Sequence, residues 1–244
     1  MTDARREPEP ADAPSERVVT VDGPAGSGKS TLGRRLAATL GLPFIDTGLF
    51  YRALAAAAAR RGVGADDAGE LEALARRLHI DAGTDPAAKP AVAVDGDVIT
   101  AAELHDPASQ NALLRAVSGN PRVRRALLPA QRAPATHGAV AAGRDCGTVV
   151  FPRAVLKIYL EADEELRTAR RANQLQTRGA PIDVALLDAE VRARDVSDSS
   201  RPDGPLLRAA DSRVIDTGKV GIDEMVATAL RWCRERGLVP PPGS

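Results

Sequence analysis

Short apolar runs alternate along the chain with longer segments of helical spacing. RVVTVD at 17–22 is β-branched and predicts a buried strand. KSTLGRRLAATLG at 29–41 carries apolar residues at helical intervals and stops on Gly41, a C-cap signal. PFID reads as a second strand, and GLFYRALAAAAARRG at 48–62 as a second helix stopped by glycine. That order predicts an α/β domain with a parallel central sheet flanked by helices. The pattern loosens around DDAGELEALARRL. AVAVDGDVIT at 91–100 then alternates about an Asp-Gly pair, which predicts a hairpin and hence an inserted subdomain rather than another βαβ unit. Beyond it come a helix over about 121–133, strands in GAVAAG (138–143) and AVLKIYL (154–160), charged helices over 163–179 and 183–196, a strand in SRVID (212–216) and a helix over 221–237.

Composition narrows the function. Apolar residues are 43% of 244, enough for a sizeable core, but aromatics are only 2%, so Leu, Val and Ala fill it. Thirty-three basic and thirty-three acidic residues cancel. A nucleic-acid binder usually shows a basic excess, so a small-molecule partner is expected and nucleic acid is not. Two cysteines, Cys146 and Cys233, suit a reducing cytoplasm better than a disulfide framework. No apolar run is long enough for a membrane span. Residues 1–16 lack the apolar centre of a signal peptide, and with 239–244 they read as disordered tails.

The chemistry starts at VDGPAGSGKST, residues 21–31. Gly23, Gly28, Lys29 and Ser30 fit G-x-x-x-x-G-K-[ST], with a strand before and a helix after. A loop of Gly23, Pro24, Ala25, Gly26, Ser27 and Gly28 is poor in side chains because its backbone N–H groups are the ligand for phosphate oxygens. The following helix, opening with Lys29, Ser30 and Thr31, adds its positive end. Lys29 supplies a point charge for the β- and γ-phosphates, and Ser30 can offer a hydroxyl to Mg²⁺. A nucleoside triphosphate such as ATP, with Mg²⁺, is therefore expected.

Other phosphate-loop classes fit less well. No N-K-x-D motif for reading a guanine base is present. The acids in KIYLEADEE, Asp163, Glu164 and Glu165, follow their strand by several residues and open a helix, where the dipole favours them. A small-molecule kinase with an anionic acceptor predicts a second set of arginines. Arg52, Arg122, Arg124, Arg125, Arg144, Arg170, Arg171, Arg194 and Arg201 supply candidates. Most single arginines are solvated surface charges, but Arg144 follows a buried strand, where an idle charge is expensive. Two alternatives stay open at this point: a kinase for another small acceptor such as a sugar acid or shikimate, and a nucleotide-dependent switch without turnover.

VDGPAGSGKST, IDTGLFYR, NPRVRR, GRDCGTVVFPRAVLKIYLEA and RARDVSDSSR occur in an order that resembles bacterial cytidylate (CMP) kinases over roughly residues 17–237. The G-R-D-x-G-T-V-V-F-P stretch separates that family from adenylate and guanylate kinases. The resemblance implies a nucleoside monophosphate kinase fold with a core at 17–62, 138–162 and 205–238, an acceptor-binding insert at 63–137 and a lid at 163–204. It implies transfer of the γ-phosphoryl group of ATP to CMP or dCMP with Mg²⁺ in a cytoplasmic monomer. By the same resemblance Thr47 (serine in most relatives), Arg124 and Asp145 face the cytosine. Arg52 and Arg144 hold the acceptor phosphate, and Asp198 and Arg201 serve its sugar and phosphate. Arg194 reaches the phosphates on closure, beside Arg170 and Arg171 of the lid.

Cytosine chemistry agrees with this placement. Its amino group can donate to the Asp145 carboxylate, and Arg124 can donate to its ring acceptors. Uracil has a carbonyl in place of the amino group and leaves Asp145 unpaired. Two bland readings stand beside these roles: Asp145 as an arginine's ion-pair partner, and Thr47 as the N-cap of the helix it precedes. Cys146 stands where larger apolar residues are common in relatives. His79, His105 and His137 read as structural or surface residues.

Overall fold

The computed structural model describes residues 17–105, 107–176 and 184–238; both predicted tails lie outside them. Five strands, β1 (Val18–Asp22), β2 (Phe44–Asp46), β6 (Ala139–Gly143), β7 (Leu156–Glu161) and β8 (Arg213–Asp216), form one sheet in the order β2-β6-β1-β7-β8. All four pairings are parallel. Val18 and Ala139 face one apolar cluster, while Val19, Val21 and Val140 face another. Both faces of the central strands are thus buried, which is why their sequences are nearly continuous apolar runs.

Helices α1 (Lys29–Leu40) and α9 (Ile222–Glu235) contribute Leu32, Leu36, Met225 and Ala229 to one face. α2 (Thr47–Arg60) contributes Leu49, Phe50 and Leu54 to the other. α1 ends as its sequence predicts, with Gly41 at φ 63°. The poverty in aromatics is offset by close approach. A Cβ on Gly33 would lie 2.5 Å from the Phe44 ring, so this glycine lets α1 settle onto β2.

A second sheet holds β3 (Ile80–Ala82), β4 (Val92–Val94) and β5 (Asp97–Ile99), all antiparallel. Asp95 and Gly96 form its predicted turn with φ of 52° and 89°, the positive pair that a two-residue type I′ hairpin needs. Three helices surround it that the sequence reading did not delimit: α3 (Ala68–Arg77), α4 (Ala101–His105) and α5 (Pro107–Gly119). α6 (Pro121–Arg132) follows, with the Asn120 side chain accepting from the N–H groups of Arg122 and Val123 and Pro121 in the first turn. α7 (Glu164–Gln176) and α8 (Val184–Ser199) form a charged pair beside the sheet's C-terminal edge. Cys146 and Cys233 are free and buried in opposite clusters.

Gly33→Val tests the packing of α1. The added side chain overfills the Phe44 contact and should cost about 1–3 kcal/mol, read as a lower urea midpoint at unchanged slope. An unchanged midpoint would remove close approach as the reason for glycine there.

Candidate active site

Glycine shapes the segment between β1 and α1. Gly23, Gly26 and Gly28 have φ of 149°, 75° and 93°. A Cβ on Gly26 would sit 2.9 Å from the Arg167 carbonyl oxygen, and one on Gly23 would collide with the Leu160 carbonyl. The loop therefore lies flat against the end of β7 and the start of α7, where no side chain fits. Gly28 caps α1 without any side-chain hydrogen bond, so the first-turn amides stay available to an anion. Lys29 is 8% exposed and its ammonium donates to the Pro24 carbonyl at 2.6 Å, curling over the loop. Pro24 and Ala25 are half-buried, Ser27 is buried with an unpartnered hydroxyl, and Thr31 is exposed on α1.

Ser30 donates to Asp46 Oδ2 at 3.3 Å, while Asp46 Oδ1 accepts from the Gly48 N–H at 3.1 Å. The cap of α2 is thus Asp46, not Thr47. Thr47 is buried, donates to the Ala142 carbonyl at 3.1 Å and lies 3.6 Å from the Cys146 sulfur. Its hydroxyl sits where β6 hands over to the turn that follows Asp145.

A second cluster gathers side chains from α6, from the end of β6 and from the end of α8. Arg124 and Asp145 pair with each other and are both buried. Arg124 also donates to the Ser118 carbonyl at 3.1 Å and lies 5.3 Å from the centre of the Tyr51 ring. Asp198 accepts from Arg144 Nε at 2.8 Å and from Arg201. Arg201 reaches the Ser118 hydroxyl at 3.4 Å. Sequence positions 124, 144, 145, 198 and 201 are therefore brought together. Gly204, at φ 61°, presses its backbone on the Arg124–Asp145 pair, and a side chain there would strike both partners. Arg52 of α2 donates to the Leu104 carbonyl at 3.0 Å.

Among the arginines of α7, Arg170 donates to the Thr217 hydroxyl and carbonyl, each at 2.8 Å. Arg167, which sequence reasoning passed over, meets the phosphate loop: it donates to the Ala25 carbonyl at 3.3 Å and pairs with Asp195 of α8. Three arginines fall within one and a half turns of helix there, and nothing in their spacing separates the one that faces the loop. The side chains of Arg171 and Arg194 lie outside the described residues.

Asp22 is a further residue that sequence reasoning missed. It is 5% exposed at the end of β1, and accepts from the N–H groups of Cys146 at 2.8 Å and Gly147 at 2.7 Å. Burial pushes its carboxyl up to about 6, outweighing the two amide hydrogen bonds that favour the charged form. Asp145 is also raised by burial, against the pull of Arg124. Burial, with Asp22 and Asp145 nearby, lifts the Cys146 thiol well above its ordinary value, so it stays protonated.

A parallel sheet whose first strand opens into a glycine loop and a helix, facing a buried guanidinium–carboxylate cluster, defines a P-loop phosphotransferase with a small anionic acceptor. The family described as Cytidylate kinase matches residues 19–235. The chain belongs to the cytidylate kinase family, and as such it is an ATP-dependent kinase of CMP and dCMP. A cytidylate kinase from Shewanella loihica is 43% identical over 220 residues, covering 90% of this chain and 95% of its own. One from Shewanella baltica is 42% identical over 226 residues, covering 91% and 97%. A solved structure, TT1252 from Thermus thermophilus, covers 90% of this chain and 96% of its own with a TM-score of 0.46 and 20% identity, too distant to bear on activity. Among the described residues no helix is long and apolar enough to cross a membrane.

The raised Asp22 carboxyl carries a signed consequence. A carboxyl higher in the folded than in the unfolded chain stabilises the fold fully below about 3.8 and loses that contribution as pH rises through about 6. The loss is on the order of 3 kcal/mol. Asp22→Asn removes the titration, so wild-type stability measured against the variant should fall between pH 4 and 7. Parallel curves from urea unfolding would reject the shift.

Proposed function

We propose that the cluster around Arg124 and Asp145 is the CMP seat and that the Gly23–Thr31 loop is the ATP seat. The observation that carries this reading is the buried Arg124–Asp145 pair. A guanidinium and a carboxylate side by side match the acceptors and the amino donor on one edge of cytosine, and the guanidinium also meets the Ser118 carbonyl and the Tyr51 ring. Thr47 completes the wall beside the base. Arg144 and Arg52 serve the acceptor phosphate, while Asp198, held by Arg144 and Arg201, meets the sugar hydroxyls. This seat sets the chain apart from kinases of sugar acids, which have no use for a base-reading pair.

Donor and acceptor meet at the C-terminal ends of β1 and β6. Loop amides and Lys29 take the triphosphate. Phosphoryl transfer calls for alignment and charge compensation more than covalent help, so the residues here bind, orient and exclude water. Ser30 and Asp46, a hydroxyl and a carboxylate 3.3 Å apart at the loop exit, suit Mg²⁺. That ion typically takes few protein ligands and fills its shell with water and substrate phosphates, where it neutralises developing charge. Among the described residues no group of three or more His, Cys, Asp or Glu could hold a metal ion.

The core, the insert over 63–137 and the lid over 163–204 would move as separate parts, with Arg170 and Arg194 swinging toward the phosphates on closure. Arg167 already stands against the loop and joins them as a candidate. A cytoplasmic monomer is the working form in this reading.

Coupled ADP-release assays test it. CMP and dCMP should be used well, UMP poorly, and AMP and shikimate hardly at all. Asp145→Ala should lower kcat/KM for CMP by about a hundredfold or more while KM for ATP moves less than about threefold. Equal losses for both nucleotides would refute base reading. Lys29→Ala should chiefly lower kcat, by about a hundredfold or more. A wild-type rate would refute its role in charge compensation.

A further inference from the structure

The turn after β6 has an unusual hydrogen-bond economy. The Asp145 carbonyl accepts from the N–H groups of Thr148, Val149 and Val150 at 3.3, 2.8 and 3.2 Å, and the Cys146 carbonyl accepts from Phe151 at 2.7 Å. The N–H groups of Cys146 and Gly147 point the other way, and both find one carboxylate, Asp22. A Cβ on Gly147 would lie 2.9 Å from the Thr20 hydroxyl, 3.2 Å from Asp22 Oδ2 and 3.2 Å from Lys157 Cδ. Glycine is what lets the turn descend onto β1. Neither the phosphate-loop motif nor the acceptor cluster gives Asp22 any work.

We propose that Asp22 is a positioning residue for acceptor selection. By holding the two amides that follow Asp145, it fixes the base-reading carboxylate in place and ties that place to Gly23, the residue that follows it at the end of β1 and the first of the phosphate loop. The proposal rests on the reading of Asp145 given above. A core carboxylate with only a packing role would be replaceable by an apolar residue of similar size. Here its loss strands two buried amides in the segment that presents Asp145. The charged and titratable groups around it are Asp145 and Cys146 on the turn, Lys157 on β7, and Tyr159, its register partner on that strand. Ionised Asp22 is thus surrounded by groups that cannot replace it as acceptor for both amides.

The test compares wild type, Asp22→Asn, Gly147→Ala and Asp145→Asn in the full chain, by kcat and KM for CMP and UMP at saturating ATP and by KM for ATP. Asn keeps the shape of Asp but has one acceptor oxygen, and Gly147→Ala lifts the turn off an intact Asp22. Each should raise KM for CMP and lower the CMP-to-UMP ratio of kcat/KM by about tenfold to a hundredfold, with KM for ATP within about threefold. CMP and UMP carry the same phosphate, whose own titration near 6 cancels in the ratio. An unchanged ratio in both Asp22→Asn and Gly147→Ala, or a parallel loss of ATP, overturns the proposal. If Asp22→Asn does not fold, the ratio in Gly147→Ala decides by the same criterion. If Asp145→Asn keeps the wild-type ratio, base reading by Asp145 fails and the role of Asp22 fails with it. If Asp145→Asn loses the ratio and the other two keep it, only the role of Asp22 is lost.

Discussion

Asp22 and Gly143 are register partners in the last rung of the β1–β6 ladder. From one side of that rung the chain leaves as the phosphate loop. From the other it leaves as Arg144, Asp145 and the turn behind them. Two parallel strands ending together place their exits side by side, and the site lies at the carboxyl ends of the strands as in other open α/β sheets. Shifting the register by one residue would turn Val19 and Val140 to the wrong faces, so the apolar clusters that hold the sheet also fix the separation of the two proposed seats.

The chain has no net charge, yet it buries several charged side chains. Arg124, Asp145 and Asp198 are each less than 5% exposed. Buried ion pairs contribute little to stability compared with apolar side chains of the same volume, because desolvation offsets attraction. A fold seeking stability alone would not place them there. On the proposed reading recognition accounts for them: in a dry pocket an unmatched acceptor or donor is costly, so the same pairs that add little to folding can separate ligands differing in one functional group.

Much of this was legible in the chain. The glycine loop needed no tertiary information, since strand, loop and helix are contiguous and the turn glycines have a local reason. The Asp-Gly hairpin and the Asn120–Pro121 helix start were readable for the same cause. α3 and α5 were not delimited; their buried residues, among them Leu71, Leu74, Leu113 and Val117, join the same apolar cluster as Val18 and Ala139 of the main sheet by packing on other helices, which the local pattern does not announce. Asp22 was invisible for a different reason. It sits at a strand end where an acid looks like the start of a loop, and its partners, the amides of Cys146 and Gly147, lie more than a hundred residues away and are backbone. Thr47 was ambiguous because Asp46 beside it is an equally good cap, and only geometry assigns the cap to one and the Ala142 carbonyl to the other.

The Arg124–Asp145 bond also bears on how a ligand is chosen. Each partner already holds the other, with the buried Arg124 Nε–H left without an acceptor among the described residues, and Gly204 covers both. On the proposed reading, a base entering here meets a guanidinium and a carboxylate that already hold each other, with one N–H still open. It competes with that ion pair, and it gains only if its edge answers the guanidinium and the carboxylate together. A pyrimidine that answers Arg124 alone would break the pair and leave Asp145 buried without a donor, a worse state than the one it displaced. Selectivity then comes from what the protein loses with the wrong base, which makes the exact placement of the Asp145 turn, and whatever anchors it, as consequential as the carboxylate itself.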